Sequence, residues 1–113
     1  MSTCLYCSTD PDDAWAASPH GIAVPSPNPL TPGHVVVAPL GHVASFYDLD
    51  VAEQNGLWQL VTEVRRHVKA AQQVETVAIG FEDGEEGRGH THIHVVPRQP
   101  GVHLPSEIEW ITE

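Results

Sequence analysis

Apolar side chains recur at three- and four-residue steps through the middle of the chain, which is the period of an amphipathic helix. The stripe consists of Leu57, Leu60, Val61, Val64, Val68 and Ala71. Asp48 and Asp50 precede it, and carboxylates in this position can accept hydrogen bonds from the free amides of a first helical turn. The pattern therefore predicts one helix from Val51 to about Gln73, with its apolar stripe facing a core.

Short apolar stretches on both sides of this helix predict strands. Residues 14–17 and 21–24 flank a turn, residues 34–38 are rich in β-branched side chains, and residues 76–81 follow the helix. Prolines remove ladder donors and predict an irregular loop after the second strand; they are Pro25, Pro27, Pro29 and Pro32. One helix on a small, mostly antiparallel sheet is an α+β domain. Its other face must also be covered, and a second copy of the chain is one candidate.

Strict alternation of histidine with other residues marks the last strand, which reads His90-Thr91-His92-Ile93-His94. In an extended chain all three imidazoles project from one face. Neighbouring rings start about 7 Å apart and the outer pair about 13 Å, so one metal ion with bonds of about 2 Å does not readily bind all three. The row fits a surface that handles an extended anion, with a separate role for each ring.

Length and charge restrict the class of protein. The 113 residues are enough for a single domain with one modest core, and we assign residues 1–113 to it. No apolar run is long enough to span a membrane and the first ten residues lack an export signal, so we expect a cytoplasmic protein. Fifteen acids against five bases argue against nucleic acid or an anionic membrane as the main partner.

Both cysteines lie in one motif, Cys4-Leu5-Tyr6-Cys7. In a cytosolic chain this spacing is typical of metal binding or redox chemistry. A thioredoxin-like site requires a preceding strand, and none is predicted here. Half of a zinc site is the preferred interpretation, and two small, semi-buried thiols are the alternative.

With these features in place, the chain resembles the histidine triad (HIT) family of nucleotide hydrolases and transferases, in its zinc-containing bacterial type. The resemblance covers nearly the whole chain. Its anchors are the Cys4–Cys7 motif, the segment 28–34, Pro39-Leu40-Gly41-His42, the helix start at 48–50, and the segment 90–98. It implies a HIT-like fold, with one main helix on a small antiparallel sheet, and a homodimer that joins two sheets through their helix-bearing edges.

The resemblance also implies a mechanism. His92 attacks the α-phosphorus of a nucleotide and forms a nucleotidyl-imidazole intermediate, which water or another acceptor then resolves. A neutral imidazole is a usable nucleophile near pH 7. His94 is expected to hydrogen-bond a phosphate oxygen or the leaving group, and His34 to support the nucleophile from behind.

Zinc-containing members of the family imply four ligands in this chain. They are Cys4, Cys7, His42 and His90, a closed Cys2His2 set. We therefore expect a structural zinc ion without an open position for catalysis, and no organic cofactor. Such a site leaves His92 and His94 for the substrate.

The substrate-binding positions depart from the family pattern. Ser26 stands where the family usually has an aspartate that holds the ribose, and a serine can hold one hydroxyl group. Arg88 and Arg98 are the bases close to the triad in sequence and are candidates for phosphate binding. The acidic loop 82–89 is shorter than usual, and Glu82 or Asp83 replaces an asparagine, so a carboxylate can repel the phosphate there.

Three functions therefore remain open. The first is a nucleotide hydrolase or nucleotidyl transferase that acts on phosphoramidates or dinucleoside polyphosphates. The second is a nucleotide-binding or interaction module with the same fold and little turnover. The third is a protein that only binds metal, through its cysteine and histidine side chains.

Overall fold

The fold is a five-stranded sheet with one long helix on one face, as seen in a computed structural model that describes residues 14–27, 29–41, 43–82 and 91–98. The elements are β1 (Ala16–Ala17), β2 (Gly21–Pro25), β3 (Val35–Pro39), α1 (Val51–Gln72), β4 (Val77–Glu82) and β5 (His92–Pro97). Within the described ranges every strand pair is antiparallel, and the strand order is β1-β2-β3-β5-β4. The predicted α+β architecture is confirmed.

Helix α1 begins where the carboxylates predict. The Asp50 side chain accepts a hydrogen bond from the amide of Glu53 at 2.8 Å, and the Glu53 carboxylate accepts one from the amide of Asp50 at 3.5 Å. This reciprocal pair is a capping box, which satisfies two amides that lack partners inside the helix. The helix ends at Gln72, and Gln73 follows with a φ of 54°, in the left-handed region.

The predicted apolar stripe faces the sheet along most of its length. Its buried members are Leu57, Leu60, Val61, Val64 and Val68. They pack against Val35, Val37, Ile93 and Val95 from β3 and β5. The prediction for Ala71 was wrong: this residue is exposed, and it lines a cavity between the end of α1 and the loop that follows β2.

The opposite face of the sheet is also buried. Ile22, Val24, Val36 and Ala38 form a second apolar cluster there, although α1 lies on the other side. This burial is present within a single chain, so these side chains do not require a second copy to cover them. Because both faces are covered, every residue of β5 from His92 to Pro97 is buried.

No helix in the described ranges combines the length and the apolar character that crossing a membrane requires.

Candidate active site

Two of the three alternating histidines lie side by side on the sheet face opposite α1. In the ladder, His94 pairs with Val36 of β3 and Gly80 of β4, whereas the Ile93 and Val95 side chains join the core under α1. The His92 and His94 ring centroids are 4.9 Å apart and the rings are inclined by 76°. The one-face prediction is confirmed for these two residues, and His90 lies outside the described residues.

His34, the residue immediately before β3, adds a third imidazole to this row. Its Nε2 atom is 2.8 Å from Nδ1 of His94, and the two ring centroids are 5.0 Å apart. We expected His34 to support His92, but its hydrogen bond goes to His94, which in turn lies against His92. His94 therefore lies in the middle of the row in space, although His92 is the middle member in sequence.

A backbone amide determines which nitrogen atoms in this row carry protons. The Leu30 amide donates to Nδ1 of His34 at 3.1 Å, so this Nδ1 atom is an acceptor. A neutral His34 then carries its proton on Nε2 and donates it to Nδ1 of His94. By the same argument, a neutral His94 carries its proton on Nε2 and can donate a hydrogen bond from that buried atom.

Burial keeps these two rings neutral. It lowers the pKa of His34 to about 4, because the charged form loses its hydration. The pKa of His94 falls to about 3 through burial first, and then through repulsion by charge on His92 and His34. At pH 7 His94 is therefore a neutral donor, which suits a hydrogen bond to a phosphate oxygen.

His34 is carried by a tight turn formed by Thr31-Pro32-Gly33-His34. The His34 amide donates to the carbonyl of Thr31 at 3.2 Å, and Gly33 has a φ of 89°. Proline at the second position and a positive-φ glycine at the third are typical of a type II turn. The positive φ favours glycine at this position, and a Cβ atom there would also force the Gln72 side chain to move.

The predicted ribose contact, Ser26, lies next to His34. Ser26 is 8 % exposed, and its amide donates to the His34 carbonyl at 2.9 Å. Both residues line a cavity of about 270 Å³ that also touches Trp15, Pro29 and Gln72. The structure thus brings Ser26 together with the histidine row.

Arg98, the predicted phosphate contact, lies away from this cavity. It is exposed, and its amide donates to the carbonyl of Thr76 at 3.1 Å. It lies four positions after His94, or about 13 Å along an extended strand. Its role in binding stays a prediction, and Arg88 lies outside the described residues.

A larger groove of about 670 Å³ runs between β1 and α1. Its lining includes Trp15, His20 and His67 but none of the predicted site residues. The His20 ring packs directly against Gly56, where a larger residue would overlap it.

The four predicted zinc ligands, Cys4, Cys7, His42 and His90, all lie outside the described residues. Among the residues that are described, no group of three or more His, Cys, Asp or Glu side chains can hold a metal ion. The residues that follow two of the predicted ligands are nevertheless in contact, because the Thr91 amide donates to the Val43 carbonyl at 2.8 Å.

Sequence reasoning overlooked Leu30 and Thr31. Leu30 supplies the amide that sets the His34 ring, and the buried Thr31 hydroxyl donates to the Pro97 carbonyl at 2.7 Å. The prolines of this segment predicted only an irregular loop, although a Pro-Gly pair such as 32–33 is typical of a turn. No local pattern indicated that this turn reaches the far end of β5.

The chain is similar to proteins of one family. The profile of the HIT domain matches residues 9–101. A bifunctional bis(5'-adenosyl)-triphosphatase/adenylylsulfatase FHIT from Arabidopsis thaliana is 30% identical over 95 residues, which cover 81% of this chain and 53% of that protein. The nitrilase and fragile histidine triad fusion protein NitFhit of Caenorhabditis elegans is 30% identical over 86% of this chain and 23% of its own length.

Solved structures of related proteins have the same fold. The crystal structure of C. elegans NitFhit aligns with a TM-score of 0.70 and 31% identity, over 80% of this chain and 23% of that one. A Zn-bound histidine triad family protein from Mycobacterium smegmatis aligns with a TM-score of 0.76 and 23% identity, over 92% and 81% of the two chains. The chain spans about half or less of the curated relatives above. Because these are eukaryotic proteins of the fragile histidine triad type, they do not support the expected zinc-containing bacterial type.

Proposed function

The chain belongs to the HIT family, and from that premise we propose that it is a nucleotide hydrolase that cleaves dinucleoside polyphosphates at the α-phosphorus. The observation that carries the proposal is the hydrogen-bonded row from Leu30 through His34 to His94, which presents a neutral donor beside His92. The name of the plant relative, a bis(5'-adenosyl)-triphosphatase, favours an adenylyl substrate.

In the proposed first step, the Nε2 lone pair of His92 attacks the α-phosphorus, and the P–O bond to the departing phosphate breaks. The leaving oxygen takes the bonding electron pair, and the Nε2–H of His94 hydrogen-bonds to it. In the second step water attacks the phosphorus, the P–N bond breaks with its electron pair returning to His92, and the proton that the water loses passes to the solvent. The products are a nucleoside monophosphate and the remaining nucleotide.

Covalent trapping tests this proposal. Protein is mixed with bis(5'-adenosyl) triphosphate, quenched in acid, and analysed by intact mass spectrometry. We expect an added mass of one adenylyl group, which is absent in His92→Asn and retained in His67→Asn, where an exposed histidine is changed. Neither an adduct nor turnover across mono- and dinucleotide substrates would contradict an enzymatic function. Substrates with a phosphoramidate bond and added acceptors distinguish hydrolase from transferase activity.

One observation favours the second candidate, a nucleotide-binding module with little turnover. Glu82 lies directly opposite His92 in the β4–β5 ladder, and the acidic loop follows it immediately. Negative charge near the phosphate weakens binding and slows the approach of an anion. Calorimetric binding of the nucleotide without turnover supports this candidate, whereas a protein that only binds metal would not bind the nucleotide.

For the metal, we propose that Cys4, Cys7, His42 and His90 hold a structural zinc ion. Support comes from the donor set, which suits tetrahedral zinc, and from the bond between Val43 and Thr91, the neighbours of two ligands. Bound zinc would cross-link the N-terminal segment to the start of β5. It supplies no chemistry to the nucleotide in this proposal.

For assembly, we propose a homodimer formed through the edge of the sheet at β4. This strand is last in the strand order, so one side of its backbone has no neighbouring strand among the described residues. Apolar side chains surround it on the α1 side, an area that we call the aromatic edge: Phe46, Tyr47, Trp58, Ile79 and Phe81. Four of these five are exposed in the single chain, and exposed apolar patches next to a free strand favour self-association.

A further inference from the structure

A buried threonine ties the loop before β3 to the end of β5. Thr31 is 3 % exposed, and its hydroxyl donates to the Pro97 carbonyl at 2.7 Å, across 66 residues of sequence. Pro97 is the last residue of the strand that carries His92 and His94. The position of the loop is therefore fixed relative to the histidine row by this side chain.

The anchored residue and its neighbour hold His34 at two points. The Thr31 carbonyl accepts from the His34 amide at 3.2 Å, and the Leu30 amide donates to Nδ1 of the His34 ring at 3.1 Å. The Leu30 N–H belongs to the peptide unit before Leu30, and this unit meets the Leu30–Thr31 unit at the Leu30 Cα atom, so a shift of Thr31 reaches that amide through only two backbone dihedrals. The Leu30 amide is what distinguishes the two nitrogens of His34.

We propose that Thr31 is a positioning residue: its hydroxyl bond to Pro97 holds the Leu30 amide against His34 and thereby fixes the proton of His94 on Nε2. Three hydrogen bonds therefore connect the loop to β5 at two points. One joins Thr31 to Pro97, and the other two run from Leu30 to His34 and from His34 to His94. Without the anchor, His34 is able to carry its proton on Nδ1. Its Nε2 then accepts from His94 Nδ1, and the Nε2 atom of His94 presents a lone pair to the phosphate.

The first test is spectroscopic and does not require turnover. Long-range ¹H–¹⁵N correlation spectra report which ring nitrogen of each histidine carries the proton, and scalar couplings across N–H···N bonds report the bonds themselves. In the wild-type protein we expect His34 and His94 in the Nε2–H form, with a coupling from the Leu30 amide to Nδ1 of His34. The Nδ1–H form of either ring, or no coupling, overturns the proposal without any variant.

The variants separate positioning from packing. Thr31→Val keeps the shape of the side chain and removes the hydroxyl, whereas Thr31→Ser keeps the hydroxyl. We expect mixed protonation of His34 and His94 in Thr31→Val and the wild-type pattern in Thr31→Ser. Thr62→Val is the matched control, because the Thr62 hydroxyl also donates to a backbone carbonyl, that of Trp58 at 2.9 Å, on the surface of α1.

The kinetic test rests on the proposed function. For hydrolysis of bis(5'-adenosyl) triphosphate, Thr31→Val is expected to lower kcat about tenfold, in line with the loss of one hydrogen bond, with KM within about twofold. Thr31→Ser and Thr62→Val are expected to keep the wild-type kcat. Unchanged ring protonation in a folded Thr31→Val protein overturns the proposal, whatever its stability. An inactive wild-type enzyme with the expected spectra would instead contradict only the proposed function.

Discussion

The Nε2 atom of His34 lies 2.8 Å from the Nδ1 atom of His94, and this contact joins two imidazoles that are 60 residues apart in sequence. Both rings are buried and neutral at pH 7, so the contact is a hydrogen bond between two uncharged groups with a fixed direction. Since the Leu30 amide occupies the other nitrogen of His34, the donor is His34 and the acceptor is His94. This direction leaves the proton of His94 on Nε2, from which it can be donated to the proposed phosphate.

Replacing His34 tests the value of this bond for catalysis. His34→Ala leaves the buried Nδ1 atom of His94 without its donor, a loss of about 1–3 kcal/mol, so kcat is expected to fall about 10- to 100-fold. His34→Gln offers an amide donor in place of the Nε2–H and is expected to retain more activity than His34→Ala. The measurement is steady-state hydrolysis of bis(5'-adenosyl) triphosphate, with His67→Ala as the exposed control. A His34→Ala enzyme within threefold of the wild-type kcat contradicts this role.

Stability is expected to decrease as the pH falls below 6.5. The folded-state pKa of His34 is about 4 and that of His94 about 3, both below the value of 6.5 for an unfolded histidine. Between these limits the unfolded chain binds protons that the folded protein does not, so acid favours unfolding. Each group contributes a slope of up to about 1.4 kcal/mol per pH unit over this window, and none above it.

Urea unfolding between pH 7.5 and 4.5 measures this slope. All other titrating groups also contribute to the pH dependence of the wild-type free energy of unfolding. The contribution of His34 is therefore measured as the difference between the wild-type protein and His34→Gln. We expect the variant to lose part of the acid dependence below pH 6.5 and to match the wild-type slope above it. Parallel curves across the whole range would show that His34 titrates in the folded state as it does in the unfolded chain.

Local patterns in the sequence predicted most of the fold, because each element carries its own signals. The Asp50 cap and the apolar stripe placed α1 almost to the residue, and short apolar stretches placed β2, β3 and β4 within one residue at each end. Ala71 was misplaced because periodicity does not indicate where the sheet under a helix ends.

The candidate site was predicted less completely, for a physical reason. Alternation alone places His92 and His94 on one face of β5. The bonds from His34 to His94 and from Thr31 to Pro97 depend on the register between β3 and β5, which no segment of 10 or 20 residues encodes. The sequence alone therefore could not predict which histidine accepts the hydrogen bond from His34.

The residue after α1 offers a gain in stability. Gln73 has a φ of 54°, a left-handed conformation in which a side chain is unfavourable and glycine is not. Gln73→Gly is expected to raise the free energy of unfolding by about 0.5–1 kcal/mol, measured by urea denaturation. Gln73→Ala, which retains a Cβ atom, is the control and should show little gain. Equal stability of the two variants would contradict the strain at this position.

Zinc binding is tested by metal analysis of protein purified without chelator. We expect about one zinc ion per chain, since one Cys2His2 set binds one ion. Cys4→Ser and Cys7→Ser each remove a thiolate ligand and are expected to bring the content below half an equivalent. His20→Ala, which changes a histidine outside the proposed set, should retain the metal. Less than half an equivalent in the wild-type protein would count against the site.

The aromatic edge predicts the oligomeric state. Phe81 and Ile79 lie on the α1 side of β4, opposite Ile93 and Val95 of β5, yet both side chains are partly exposed in the single chain. Tyr47 beside them is 76 % exposed and contacts Phe81 with ring centroids 6.1 Å apart. In the proposed homodimer these side chains become buried. A charged residue in their place would lose its hydration on dimerisation, and this cost would weaken the association of the subunits.

Ile79→Glu is therefore expected to convert the dimer into a monomer, as measured by sedimentation velocity. Ile79 is preferred to Phe81 for the test because Phe81 also packs against the buried Phe46, with centroids 5.1 Å apart, and its loss would disturb the monomer. Trp15→Glu is the matched control, since Trp15 is a similarly exposed apolar residue beside β1, at the opposite edge of the sheet. A monomeric wild-type protein at micromolar concentration, or a dimer that separates with Trp15→Glu and persists with Ile79→Glu, would exclude β4 as the interface. Separation by Ile79→Glu alone would place it at the aromatic edge, because the two substitutions add the same charge and differ only in which edge of the sheet receives it.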